Sequence, residues 1–280
     1  MKRILVPTDF SKYSLHAAKL AAAIAKKFDA RIFFLHVVSI PINETGIIPG
    51  QTQQDVAEGL FILKMVRKNF QKLLSQDFLK DVQVAQAIQF DGVYESVTEQ
   101  CKKHDIDLIV MGTHGTSGFI NEYLIGSNTD KIVRLSEIPV LTVRDEVKDP
   151  NFNEVVFASD FEEGVSESFH LIQNFIELFD AKVDLLRVIT RDDFYYTEPM
   201  LDIMEKFAKE KGLSNYTSHI YTAESVQEGI NQFAKRQNAD LVATITHGRR
   251  GLARLFNGSI TSDVMGSSSV PVLSVRSKRR

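Results

Sequence analysis

The chain reads Ile4-Leu5-Val6-Pro7-Thr8-Asp9-Phe10 near its start, and a similar run, Val155-Val156-Phe157-Ala158-Ser159-Asp160-Phe161, follows 151 residues later. A second pair of runs has the same spacing, because Phe34-Leu35-His36-Val37-Val38 is matched by Leu185-Leu186-Arg187-Val188-Ile189. A repeat of this length is too long for a solenoid unit, so each copy should own a hydrophobic core. The sequence therefore predicts two tandem copies of one domain.

The second copy is shorter than the first in its middle. Thr113-His114-Gly115 returns as Thr246-His247-Gly248, and Gly126-Ser127 returns as Gly258-Ser259, at spacings of 133 and 132 residues. About 18 residues are therefore missing from the second copy between its early and late motifs. We expect domains at residues 1–146 and 151–277, joined by a linker at Asp145–Asn153 that contains Pro150.

Composition indicates an ordinary globular protein. The chain has 280 residues, of which 44% are hydrophobic and 25% charged. Its net charge of −3 gives no general attraction to nucleic acid or anionic lipid, so neither is expected as a partner. No apolar run approaches the roughly 18 residues of a membrane span, and we expect a cytoplasmic protein. The one cysteine, Cys101, excludes an intrachain disulfide and is expected to be buried on a helix.

Short apolar runs alternate with helical patterns in both copies. Runs such as Leu108–Met111 lack polar alternation, which is typical of parallel strands buried on both faces. Right-handed crossovers then give an α/β fold, with a parallel sheet covered by helices on both sides. Each copy ends in an apolar edge strand, Val140–Val143 or Val272–Val275, and these two strands should pair antiparallel about a pseudo-two-fold axis. A further homodimer is compatible with this pattern.

Apolar spacings of three and four predict the helices. Ser11 is placed to cap the first helix, and Ser127 or Asn128 the last helix of the first copy. The apolar stripes are expected to face the core; among them are Val56, Leu60, Leu63, Phe70 and Leu74 in the middle of the first copy and Ile203, Phe207 and Ala208 in the second.

Candidate binding residues follow the predicted strands of the first copy. Asp9 comes after the first strand, Val37 ends the second, and Met111–Gly115 follow the fourth. Ligands of open parallel sheets bind beyond the carboxyl ends of the strands, and the two glycines there allow backbone N–H groups to approach an anion. The run Gly126–Thr129 opens a helix whose free N–H groups and dipole favour phosphate. An ordinary strand-end turn followed by a helix cap is the alternative interpretation.

The order of these pieces resembles the universal stress protein family in its tandem form. That family's motif is Gly, two residues, Gly, nine residues, Gly, then Ser or Thr, whereas residues 116–125 of this chain number ten. The resemblance implies two Rossmann-like domains of the adenine nucleotide α-hydrolase-like type, each a five-stranded mostly parallel sheet with helices on both faces, arranged as a pseudo-dimer. It also implies ATP, ADP or AMP as ligand. A Mg²⁺ ion that bridges the phosphates is compatible with this, because nucleotides commonly carry a divalent ion. The implied binding residues of the first copy are Pro7, Thr8, Asp9, Val37, Met111, Gly112, Thr113, His114, Gly115, Gly126, Ser127, Asn128 and Thr129.

The second copy departs from the motif at its first glycine, which is replaced by Ile245. A β-branched residue there should crowd the approach of the backbone to a ligand. The spacing from Gly248 to Gly258 does fit the motif, and Asp160 and Val188 are retained. The resemblance implies a weaker nucleotide site made by Asp160, Val188, His247, Gly248, Gly258 and Ser259.

Three functional hypotheses remain open at this point. The first is an adenine-nucleotide-binding regulatory or stress-response protein, with little or no hydrolysis, whose bound state signals to a protein partner that the sequence does not identify. The second is a pseudo-symmetric interaction scaffold with vestigial pockets or another small-molecule ligand. The third is an enzyme of the wider nucleotide α-hydrolase-like group. No P-loop, nucleophile elbow or metal-ligand spacing is present in the sequence, so no catalytic or metal residue is assigned.

Overall fold

The computed structural model describes residues 1–38, 53–115, 125–148, 150–162, 164–191, 197–246 and 260–277. The first half alternates strands and helices, with a short 3-10 helix at Asp77–Leu79. Its elements are β1 (Arg3–Pro7), α1 (Lys12–Phe28), β2 (Arg31–Val37), α2 (Gln53–Leu74), β3 (Val84–Gln89), α3 (Val93–Lys103), β4 (Leu108–Gly112), α4 (Ser127–Leu135) and β5 (Val140–Val143).

The second half repeats this order. Its elements are β6 (Glu154–Ala158), α5 (Val165–Phe179), β7 (Lys182–Ile189), α6 (Thr197–Glu210), β8 (Tyr216–Thr222), α7 (Val226–Arg236), β9 (Leu241–Thr246), α8 (Ile260–Ser267) and β10 (Val272–Arg276). Between β5 and β6, the described residues of the expected linker carry no helix or strand. The domain limits of 1–146 and 151–277 stay a prediction.

All ten strands form one sheet in the order β3-β2-β1-β4-β5-β10-β9-β6-β7-β8. Neighbouring strands are parallel within each half, which confirms the predicted α/β class. The two halves meet where β5 pairs antiparallel with β10. Leu141 lies opposite Leu273, its equivalent in the other copy, so a pseudo-two-fold axis passes between these two residues. The predicted antiparallel pairing of the terminal strands is therefore confirmed.

Helices cover both faces of the sheet. Helices α1, α2, α5 and α6 pack on one face, and α3, α4, α7 and α8 pack on the other. Leu141 and Leu273 are fully buried on the first face, where burial of a leucine side chain is worth about 2 kcal/mol. Because residues of both halves share each hydrophobic cluster, the contact between the halves is continuous with the core.

Two arginines reinforce the contact between the halves in a reciprocal way. Arg144 donates from Nη1 to the carbonyl oxygen of Gly266 in the last turn of α8, at 3.3 Å. Its equivalent, Arg276, donates from Nη1 to the carbonyl oxygen of Leu135, the last residue of α4, at 3.1 Å. Each guanidinium therefore satisfies a carbonyl at the negative end of the other half's last helix.

The predicted caps of α1 and α4 and the predicted burial of Cys101 have different outcomes. Ser11 does cap α1, because its side chain accepts a hydrogen bond from the N–H of Ser14. The predicted capping of α4 by Ser127 or Asn128 is wrong, since Gly126 occupies the N-cap position and no side chain caps the helix. Cys101 is buried on α3 as predicted, and burial raises the pKa of its thiol to about 12.

Two of the predicted apolar stripes extend too far along their helices. Leu60 is 63% exposed, although it was expected in the buried stripe of α2, and Ile203 of α6 is 47% exposed. The buried side of α2 is formed by Val66, Phe70 and Leu73, all in its second half. Within the described residues, no helix combines the length and the apolar content that a membrane crossing requires.

The variant Leu141→Lys/Leu273→Lys tests the contact between the halves. It would place two like charges opposite each other in a buried strand pair, so the halves should separate and the radius of gyration in solution scattering should rise. Phe90→Lys, a substitution at a half-exposed position just after β3, is the control and should leave the profile unchanged. A wild-type profile for the double variant, with helix content intact, would place the contact elsewhere.

Candidate functional site

The carboxyl ends of β1, β2 and β4 meet at one edge of the first half, because β1 lies between the other two strands. Asp9 follows β1, and its Oδ1 accepts a hydrogen bond from the N–H of Ser11 at 3.0 Å. Phe10, between them, has a φ of 63°, which marks a tight turn between the strand and α1. This turn places the Asp9 carboxylate at the carboxyl edge of the sheet.

Gly115 lies directly against Asp9. A Cβ atom built on Gly115 would stand 3.0 Å from Asp9 Oδ2, so a side chain at this position would have to displace the carboxylate. Gly126 also lies close to Gly115, since a Cβ atom built on Gly126 would be 3.7 Å from the Gly115 nitrogen. The structure therefore brings together Asp9, Gly115 and Gly126, which lie on separate segments of the sequence.

The start of α4 is tied to the end of β4. The Gly126 N–H donates to the Thr113 carbonyl oxygen at 2.8 Å, and the buried Thr129 hydroxyl donates to the Gly112 carbonyl oxygen at 3.0 Å. Thr129 thus acts as a structural tie through its side chain. Ser127 and Asn128 are exposed, and no side-chain oxygen caps the first turn of α4. The N–H groups of that turn, together with the helix dipole, suit an anion.

Gly112 is required by packing, which the sequence interpretation did not foresee. A Cβ built on Gly112 would lie 2.7 Å from the carbonyl carbon of Tyr13 and 2.8 Å from its oxygen, because the first turn of α1 crosses the end of β4 here. The close approach of α1 therefore explains why a glycine is needed at this position, whether or not an anion binds there.

The second half carries different residues at the two equivalent positions. Ile245 occupies the position of Gly112 within β9, where it is buried, and Gly164 occupies the position of Tyr13. Gly164 has a φ of 92°, so the chain turns here in a conformation that Tyr13 does not adopt. The expectation that Ile245 crowds the approach of the backbone to a ligand stays a prediction.

His36 and Phe10 pack together at the carboxyl edge of the sheet. His36 donates from Nδ1 to the Thr8 carbonyl oxygen at 2.7 Å, and its ring lies 4.7 Å from that of Phe10. Phe10 in turn meets Phe70 of α2 edge-on at 5.1 Å. Sequence reasoning missed Phe10 and His36 as positioning residues, although Phe10 recurs as Phe161 after the repeated aspartate and was available as a signal.

The remaining predicted residues of the first half lie in or beside the strands. Pro7 ends β1, the Thr8 N–H donates to the Leu35 carbonyl oxygen, and Val37 ends β2. Met111 is buried within β4. His114 is buried, with Nδ1 2.8 Å from the Thr113 hydroxyl and its ring 5.0 Å from that of Tyr13. In the described part of the chain, no three or more His, Cys, Asp or Glu side chains are grouped to hold a metal ion.

The second half is described in part. Asp160 Oδ1 accepts from the Glu162 N–H at 3.2 Å, as Asp9 does from Ser11. Val188 is buried within β7, and a Cβ built on Gly229 would lie 2.5 Å from its Cγ1, so α7 packs directly on this valine. The predicted residues His247, Gly248, Gly258 and Ser259 lie outside the described residues.

Comparison with known proteins gives consistent matches. The model of the universal stress protein family matches residues 1–144 and 151–276. Universal stress protein MJ0531 of Methanocaldococcus jannaschii is 30% identical over 155 residues, which cover 53% of this chain and 85% of that protein. Universal stress protein Slr1230 of Synechocystis is 23% identical over 99% of this chain and 100% of its own length. The crystal structure of a universal stress protein from Archaeoglobus fulgidus has a TM-score of 0.68 at 18% identity and covers 98% of both chains, which shows the fold.

The variant Gly112→Ala tests the packing explanation for this glycine. The added methyl group would overlap the backbone of Tyr13, so we expect a loss of about 1–3 kcal/mol in the free energy of unfolding. Gly59→Ala on α2 is the matched control, because no described atom beyond its chain neighbours and the nearby backbone of its own helix lies within 4 Å of the added Cβ. The control should gain about 0.5–1 kcal/mol from helix propensity. Equal denaturation midpoints for Gly112→Ala and the wild type would contradict the explanation.

Proposed function

The chain belongs to the universal stress protein family, and from that premise we propose that its first half binds an adenine nucleotide, ATP or its products ADP and AMP. The ligand would lie across the carboxyl edge of the first five strands. The proposed role is regulatory and part of a stress response, with the nucleotide state read by a protein partner. We propose at most slow hydrolysis of the bound ATP.

The convergence of Asp9, Gly115 and the first turn of α4 carries this proposal. A carboxylate, a glycine without side-chain bulk and an uncapped helix N-terminus follow one another along the edge. Asp9 would accept hydrogen bonds from the ribose hydroxyls or the adenine amino group, as would the backbone of Val37. Gly115, Gly126 and the N–H groups of α4 would receive the phosphates.

A bound Mg²⁺ would neutralise charge on the phosphates and fix their orientation. The described residues fit a nucleotide carrying its own ion better than a protein-held metal, because they include no ready group of metal ligands. Asp9 is also engaged by the cap of α1 through Ser11, which suits a fixed binding group. These features favour retention of the nucleotide over its turnover.

For the second half, a different small anionic ligand is a second candidate. Arg187 stands at the position of His36. Its Nε is buried, and no hydrogen bond or ion pair joins Arg187 to any described residue. A partly buried guanidinium without a carboxylate is costly unless an anion binds it. This observation favours a ligand whose charge lies near the end of β7, where a nucleotide in the first half would place its adenosine moiety.

Asp9→Ala tests the adenosine end of the proposed site. Removing the carboxylate should weaken ATP binding in calorimetric titration by about 1–3 kcal/mol, the loss expected for one polar partner in a buried site. Asp160→Ala, the equivalent change in the second half, is the matched control and should leave this isotherm unchanged. Wild-type affinity in Asp9→Ala would remove Asp9 from the site.

Gly115→Val tests the phosphate end. The side chain would fill the space between Asp9 and the start of α4, so ATP should lose more affinity than adenosine does. The ratio of the two dissociation constants is the measurement, with the melting temperature as a check on folding. An unchanged preference for ATP over adenosine would place the phosphates elsewhere.

A further inference from the structure

Exposed apolar side chains are concentrated on one side of α2. Leu60 and Phe61 are 63% and 65% exposed, and Met65 is 43% exposed. They lie opposite the buried stripe of Val66 and Phe70. An outward helix face of a globular protein is normally polar, so this cluster needs an explanation beyond the stability of the fold.

Basic side chains are interleaved with this apolar cluster. Lys64 and Lys68 follow Leu60 at intervals of four residues, and Arg67 is adjacent, so all three share the exposed side of the helix. None of the three cations forms an ion pair with a carboxylate of the described residues. We call Leu60, Phe61, Lys64, Met65, Arg67 and Lys68 the outer face of α2.

We propose that the outer face of α2 docks an acidic amphipathic segment of a partner protein. The apolar side chains would receive a leucine or aromatic anchor, while Asp or Glu residues of the segment would pair with the three cations. Such pairing gives specificity and a salt-dependent association rate. The proposal does not depend on nucleotide binding, although Phe70 of the same helix contacts Phe10, the residue after Asp9.

A second copy of the chain and an anionic membrane are the other occupants to consider. A second copy packing α2 against α2 would oppose Lys64 and Lys68 with their own equivalents. The equivalent helix α6 exposes Leu201 and Ile203 together with the acidic Asp202 and Glu210, and Lys206 is paired with Glu210, so charge does not exclude a second copy that docks α6. Concentration-dependent self-association of the wild type that Leu201→Ser/Ile203→Ser abolishes would assign the outer face to a second copy and overturn the proposal. Anionic membranes are typically recognised by clusters of about four to eight basic residues. With Lys72, exposed four residues after Lys68, this side of α2 has four, the lower end of that range, on a chain of net charge −3. Binding to anionic vesicles is therefore a measured outcome of the test.

Selection from a random 16-residue peptide library on the full chain tests the proposal, with counter-selection on Phe61→Ser/Lys64→Glu. We expect enriched peptides to combine Asp or Glu with Leu, Phe or Trp. Their affinity should fall about tenfold or more in Phe61→Ser and in Lys64→Glu/Lys68→Glu. The matched control is Leu201→Ser/Ile203→Ser, which removes two similarly exposed apolar side chains from α6 and should bind as the wild type does.

The proposal is overturned if no peptide is enriched, if the enriched peptides carry no acidic residues, or if they bind the Phe61 variant as tightly as the wild type. Binding to vesicles of phosphatidylserine and phosphatidylcholine is measured to test whether the outer face of α2 binds a membrane. Binding to them that requires Phe61 would assign the face to a lipid surface and contradict a protein partner.

A tryptophan reporter distinguishes a partner from the chain's own residues. The sequence contains no tryptophan, so Phe61→Trp gives a single fluorophore on the outer face. We expect the emission of a solvent-exposed indole in the free protein and a blue shift when an enriched peptide is added. Blue-shifted emission without peptide, unchanged by its addition, would show that the face is already covered within the chain and would overturn the proposal.

Discussion

The antiparallel pairing of β5 with β10 is the contact on which the arrangement of the whole molecule depends. It joins two parallel five-stranded sheets into one and buries Leu141 against its own equivalent, Leu273. It also covers two edges that isolated domains would leave open for association. Because the strands run in opposite directions, the carboxyl edges of the two halves face opposite ways. A ligand of the first half and a ligand of the second half therefore cannot share one cleft.

The repeat preserves the architecture while it changes the local contacts. The end of β4 needs Gly112 because Tyr13 crosses it closely, whereas β9 carries Ile245 and the glycine is found at Gly164. Arg187 in place of His36 alters the chemistry of the second edge. The helices also differ, since α2 has 22 residues and α6 has 14.

The sequence was sufficient to predict the α/β class, the repeat and the pairing of the terminal strands, because each depends on apolar runs that a parallel sheet must bury. The sequence did not predict how much of each apolar helix stripe is buried, because periodicity does not show which part of a helix another element covers. Leu60 and Ile203 continue the apolar stripes of α2 and α6 but extend beyond the sheet contact. The packing role of Gly112 was also missed, since a glycine required by a backbone crossing looks the same in sequence as one required by a ligand.

The central claim is that one half of a two-fold symmetric chain holds the nucleotide. Native mass spectrometry of the intact chain titrated with ATP tests it most directly, because the technique counts bound ligands per chain. The account predicts a saturable complex with one nucleotide, formed at concentrations well below those needed for any second addition. A chain that bound no nucleotide, or two with equal affinity, would contradict it.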